Sequence, residues 1–197
     1  MPKHLTFDGK YFDKVREARK TITLRKHKPN LAPGDIVYLH SKGYVIGKAE
    51  IQDVRPIKVR ELTDDIAKKE GFRSKNDLFL ALKEIYRNIK PDDELWLVEF
   101  KLLKKFDPPI FSEAFPYKGI HPLEIAKKTL EHSEELGVND TERILLELLI
   151  KTGSIRRASE ALGSLSKRGL FRKILRKYLN KLIDLGILKP KMGDEDV

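Results

Sequence analysis

Two successive prolines, Pro108-Pro109, separate stretches of the chain with different hydrophobic periods. Before them, short alternating segments are mixed with helical ones; after them nearly every segment has helical spacing. The stretch 106–122, which also holds Pro116, Gly119 and Pro122, reads as a connector. The expected organisation is a first domain at 1–106, a linker at 107–121 and a second domain at 122–197. A chain of 197 residues can bury two small cores without disulfides, and this one has no Cys.

In the first domain, Lys10 to Ala18 suits a short helix with Phe12 and Val15 on one face. Thr21 to Arg25 is β-branched and alternating, as a strand is. Pro33-Gly34-Asp35 turns into a strand at 36–40, and Tyr44 to Val54 reads as a strand with a bend or bulge at Gly47. Thr63-Asp64-Asp65 begins a helix that Gly71 ends, and Ser74-Lys75-Asn76-Asp77 begins another, with Leu78, Leu82 and Ile85 inward. Leu95 to Phe100 returns as a strand with Trp96 in the core. This mixture predicts an α+β domain, a small barrel with flanking helices.

Beyond the connector, helices are expected at about 122–136, 140–152, 154–162 and 167–185, with glycines at the breaks. Their lengths and turns resemble a helix-turn-helix or winged-helix unit in shape alone. On the last helix Phe171, Leu175, Tyr178, Leu179 and Leu182 form an inward stripe. Arg168, Arg172 and Arg176 recur one turn apart, as do Lys173, Lys177 and Lys181. Residues 151–191 hold 12 Lys+Arg against 2 Asp+Glu, so most of the net charge of +10 lies here, partly offset by the tail Asp194-Glu195-Asp196. Such a surface draws polyanions, and Arg168, Arg172, Lys173, Arg176 and Lys177 are the candidates for nucleic-acid backbone contact.

The composition excludes thiolate chemistry and Cys-based zinc sites, and the five His show no metal-ligand spacing, so neither a metal nor a cofactor is expected. Only a short apolar pair precedes Asp8, and no apolar run approaches about 18 residues, which points to a cytoplasmic protein without a membrane span. The Lys- and Glu-rich composition resembles a thermophilic bias.

Residues 5–105 resemble the ASCH domain, a compact β-barrel of the PUA-like superfamily. The likeness rests on Arg19-Lys20-Thr21-Ile22-Thr23-Leu24-Arg25, followed in order by Pro33-Gly34-Asp35, Gly47-Lys48-Ala49 and Ala67-Lys68-Lys69-Glu70-Gly71-Phe72. Ala18 departs from a common Gly, and Arg87 from a frequent Pro. The resemblance implies RNA or modified-nucleoside binding. In small bacterial members it implies hydrolysis of N4-acetylcytidine by a Lys, Thr and Glu set that corresponds here to Lys20, Thr23 and Glu70.

A lysine with its pKa lowered by burial could take the proton of a threonine nucleophile, although a nearby carboxylate would hold that lysine protonated. Residues 20 and 23 would face opposite sides of one strand, so Lys20 must lie at the turn before it. Thr21, Thr23 and Arg25 would share a face, and Arg25 could clamp a phosphate or carboxylate. Arg19, Thr21, Arg25 and Tyr44 are the candidate ligand contacts. Ordinary alternatives stay open for each: a strand threonine, a solvated lysine, an exposed glutamate, a structural ion pair, a core tyrosine. Three functions fit: an RNA- or nucleoside-binding protein, an amidohydrolase of an acylated base, or a DNA-binding regulator sensing a nucleotide-like ligand.

Overall fold

The computed structural model describes residues 3–193; the acidic tail Asp194-Glu195-Asp196 lies outside them. The chain divides between Ile110 and Phe111 into two compact units.

The first unit contains β1 (Lys3–Thr6), α1 (Phe12–Arg16), β2 (Ile22–Arg25), β3 (Ile36–Ser41), β4 (Tyr44–Lys58), α2 (Asp64–Glu70), α3 (Lys75–Ile85) and β5 (Glu94–Phe111). The five strands form one mixed sheet in the order β1-β3-β4-β5-β2. β1 runs parallel to β3, with Leu5 opposite Leu39, and β2 runs antiparallel to β5, with Thr23 opposite Val98. That order leaves β1 and β2 at the two edges. The Arg25 guanidinium on β2 nonetheless donates to the Thr6 carbonyl on β1 at 2.6 Å. A side chain thus bridges the two edges, and the sheet is curled toward closure without a backbone ladder along that seam.

Ile22 and Leu24 enter one core cluster with Leu62, Leu78, Leu95 and Leu97, while Leu5, Leu39, Ile46 and Val98 belong to another. The predicted helix starts hold: Thr63 Oγ1 accepts from the Ile66 N–H at 3.3 Å, and Ser74 Oγ from the Asp77 N–H at 3.2 Å. At Gly47 the reason for glycine is close approach. A Cβ there would sit 2.5 Å from the Lys104 carbonyl oxygen, and the β3–β4 register shifts beside it, between Leu39 and His40.

Several expectations need correction. The helix drawn from Lys10 to Ala18 is a 3-10 turn at Gly9–Tyr11 followed by the single turn and a half of α1. Ile85 is exposed at the end of α3, and Trp96 is only half-buried. The linker expected at 107–121 is ordered structure. β5 runs through Pro108 and Pro109 to Phe111, and Ala114, Phe115, Tyr117 and Ile120 are buried. Proline's fixed φ suits an extended chain, and its missing N–H costs nothing where no ladder bond is drawn from it.

The second unit is helical: α4 (Pro122–Glu131), α5 (Ser133–Leu136), α6 (Asp140–Thr152), α7 (Ile155–Ala161) and α8 (Arg168–Asp184). The α8 stripe of Phe171, Leu175, Tyr178, Leu179 and Leu182 is buried as expected, together with Ile174. α6 is tied to α8 where Glu142 accepts from the Tyr178 hydroxyl at 2.5 Å and from Lys177 Nζ at 2.7 Å. Among its described residues beyond Phe111 there is no strand from which a wing could be built.

Candidate nucleoside site

The site begins with a turn. At the end of α1 the Arg19 N–H reaches back to the Lys14 carbonyl at 2.8 Å and the Ala18 N–H to that of Val15 at 3.1 Å. This is the paired bonding of a Schellman motif, and it places Ala18 in the left-handed region at φ 54°. The chain then reverses, so that Lys20 precedes β2 and projects inward from outside the strand. Thr21 is pinned on both sides: its N–H donates to the Lys69 carbonyl at 2.9 Å, and its carbonyl accepts from the Phe100 N–H at 2.8 Å. The last turn of α2 is thereby fixed beside β2, and Glu70, its final residue, faces Lys20.

Lys20 is 1% exposed, Thr23 5% and Glu70 7%. Lys20 Nζ lies 2.7 Å from Glu70 Oε2, while its aligned hydrogen bond goes to the Glu70 backbone carbonyl at 2.9 Å. The Tyr11 ring centroid is 4.6 Å from the same ammonium and can stabilise its charge. Burial pulls the Lys20 pKa down to about 8; Glu70 opposes that fall, and the charges of Arg25 and Lys14 add to it. Burial likewise raises the Glu70 pKa, against the pull of Lys20, the Leu24 N–H and Arg25.

Lys20, Thr23, Arg25 and Glu70 line one cavity of about 180 Å³, whose walls include Tyr11, Phe72 and Tyr86. Two buried polar atoms in these walls have no aligned hydrogen bond: Arg25 Nε, a donor, and Glu70 Oε2, an acceptor. The walls at Thr6, Arg25 and Tyr86 are shared with a groove of about 720 Å³ that is also lined by Lys26, His27 and Lys28. Lys28 Nζ stands 5.1 Å from the Trp96 ring centroid and Lys26 Nζ 5.9 Å from that of Tyr86.

The other candidates lie elsewhere. Arg19 is exposed and paired with Glu17, Thr21 serves through its backbone, and Tyr44 packs edge-on to Phe12 against the core. On α8, Lys177 is held by Glu142 and Lys181 by the Leu136 carbonyl, whereas Lys173 is exposed. Tyr11, Phe72 and Tyr86 were not anticipated, because nothing in their spacing separates them from core aromatics. The basic run Lys26-His27-Lys28 follows Arg25 directly in the sequence, a signal for the groove that local charge alone carries.

Residues 3–104 match the family model described as the ASCH domain. The chain belongs to the ASCH domain family. No curated protein matches it. Among solved structures, an ASCH domain from Lactobacillus crispatus JV V101 is 18% identical, covering 52% of this chain and 80% of its own, with a TM-score of 0.42. A protein from Enterococcus faecalis V583 is 15% identical over 54% of this chain and 82% of its own, at 0.43. ASCH from Zymomonas mobilis is 14% identical over 54% and 68%, at 0.38. The match ends before Pro108, so the helical unit lies outside the ASCH domain model. Among the described residues no helix is long and apolar enough to cross a membrane, and no three His, Cys, Asp or Glu are grouped to hold a metal ion.

Proposed function

We propose that this ASCH domain binds a modified pyrimidine nucleoside, free or within RNA, in the Lys20–Thr23–Arg25–Glu70 cavity, and that the basic second unit meets nucleic-acid phosphates. One observation carries the reading: four polar side chains, three of them buried, converge on one small cavity with aromatic walls. Arg25 Nε, a donor without a hydrogen-bond partner, and the Glu70 carboxylate, shared with Lys20, offer a donor and an acceptor to the edge of a pyrimidine, which presents an acceptor and an amino donor side by side. The adjoining groove, with Lys26 and Lys28 over aromatic rings, has the chemistry of a strand-tracking surface.

A second reading, hydrolysis of an N4-acyl cytidine, draws support from the burial of Lys20. A lysine with a pKa near 8 is neutral in a useful fraction of molecules at mildly alkaline pH and can take the Thr23 hydroxyl proton. Thr23 Oγ1 would then attack the acyl carbonyl, the carbon–N4 bond would break, and the proton would pass to the departing amine. Water would release the acid from the threonine ester. Glu70 would position the lysine and the amine.

Titration calorimetry with N4-acetylcytidine and cytidine, alongside an acetate-release assay, tests both. Saturable binding that Arg25→Ala and Glu70→Gln weaken supports the site. Acetate release that Thr23→Ala and Lys20→Ala abolish in folded protein supports catalysis. Binding without release leaves a reader of the modification, and absence of binding by either nucleoside or by RNA containing it removes the proposal.

A further inference from the structure

Four arginines of the second unit share one recess. Arg168, Arg172 and Arg176 extend from successive turns of α8, Arg156 comes from α7, and the opposite wall includes Tyr117 and Glu113. The recess encloses about 360 Å³. Its positive charge is only partly compensated: Glu113 lines the same recess, Arg156 pairs with Glu160 at 3.0 Å and Arg168 Nε donates to the Leu165 carbonyl at 3.1 Å. Arg172 and Arg176 have no ion pair among the described residues. Both act electrostatically on the Tyr117 hydroxyl in the recess wall, against the charge of Glu113.

Guanidinium groups converging on one hollow repel one another, a cost that an anion of two or more charges removes. The shape narrows the choice of anion. A duplex backbone is met by side chains standing out from a convex helix face, and here the segment before α4 walls in the arginine row on one side. The planar forks of several arginines suit a group with three terminal oxygens better than the diester of a continuous strand, which exposes two.

We propose that this recess is a socket for a terminal phosphate or diphosphate, carried either by a small nucleotide or by the 5′ end of an RNA, with Arg172 and Arg176 as its main contacts. This rests on the reading that α8 meets phosphates, and it specifies chain ends or free nucleotides in place of internal backbone.

The test uses the full chain and three probes: inorganic pyrophosphate, an RNA oligonucleotide with a 5′-monophosphate, and the same RNA with a 5′-hydroxyl. Calorimetry and anisotropy should show one-to-one pyrophosphate binding that falls at least about tenfold in Arg172→Gln/Arg176→Gln and is unchanged in Arg157→Gln, an exposed α7 control outside the recess. Preference for the 5′-phosphorylated RNA over the hydroxyl form, lost in the same double variant, assigns the socket to RNA ends. Pyrophosphate binding with no RNA binding assigns it to free nucleotides and removes the backbone reading. Equal binding of the two RNAs beside pyrophosphate binding that the double variant loses also assigns the socket to free nucleotides and leaves backbone contact standing, whereas pyrophosphate binding that is absent or indifferent to the double variant overturns the socket. Circular dichroism of the double variant establishes that its fold persists, since both side chains are exposed and outside the core stripe.

Discussion

Lys20 Nζ and Glu70 Oε2, both on buried side chains, meet at 2.7 Å, yet the aligned hydrogen bond of the lysine goes to the carbonyl of the same glutamate. One residue thus meets the ammonium twice, by its backbone and by its side chain. Removing the carboxylate leaves a buried charge held by a neutral carbonyl. Glu70→Gln is expected to lower the unfolding free energy by about 3 kcal/mol, and adding Lys20→Met to recover much of that loss. Urea denaturation of the two single variants and the double variant measures the coupling; single costs that simply add would show that the two groups do not interact.

Titration of Lys20 should be visible directly. In lysine-labelled protein, one side-chain amine is expected to lose its proton near pH 8, below the ordinary 10.5. The folded protein releases this proton before the unfolded chain does, so this group raises stability as pH climbs from about 8 to 10.5. Should the domain prove catalytic, kcat/KM should rise through the same midpoint. A lysine titration curve with no early component would remove Lys20 as a base.

Ala18→Gly is expected to stabilise the protein by about 1 kcal/mol. The residue ends α1 with φ 54°, which glycine adopts without the steric cost of a Cβ. Thermal unfolding measures the gain. A loss of stability would mean that the entropy of the glycine chain outweighs the relief.

In the second unit, burial works to raise the Glu142 pKa but is outweighed by the bonds from Lys177 and Tyr178, leaving it lowered. Its contribution to stability is therefore present above the ordinary carboxylate pKa and is lost as pH falls through the folded value. Tyr178→Phe should cost about 2 kcal/mol at neutral pH, and Glu142→Gln should flatten the acid side of the stability profile. Unfolding of each variant between pH 3 and pH 7 decides; an unchanged acid slope in Glu142→Gln would clear this residue.

Much of this was readable from local pattern. The caps at Thr63 and Ser74 and the inward stripe of α8 follow from spacing and side-chain chemistry alone. The position of Lys20 outside β2 followed from parity only once the ASCH resemblance required Lys20 and Thr23 to share a site. Pairings between distant segments were not legible: nothing local shows that Thr21 bonds both Lys69 and Phe100, or that Tyr11 and Tyr86 flank the same cavity. Nor is the continuation of β5 through Pro108 and Pro109 visible locally: proline breaks paired interior strands, whereas an extended proline needs only a position that asks for no donor.

The double anchorage of Thr21, to Lys69 and to Phe100, makes the cavity a product of tertiary structure. Its walls come from the end of β1, the turn after α1, β2, the end of α2 and α3, and they meet only when those stretches are assembled. An unfolded chain therefore has no partial version of the site to offer, and a ligand at about a hundred times its Kd adds about 2.7 kcal/mol to the stability of the whole unit. Occupancy of the pocket is in this sense a seal on the finished domain, readable as a rise in melting temperature before any chemistry is assayed.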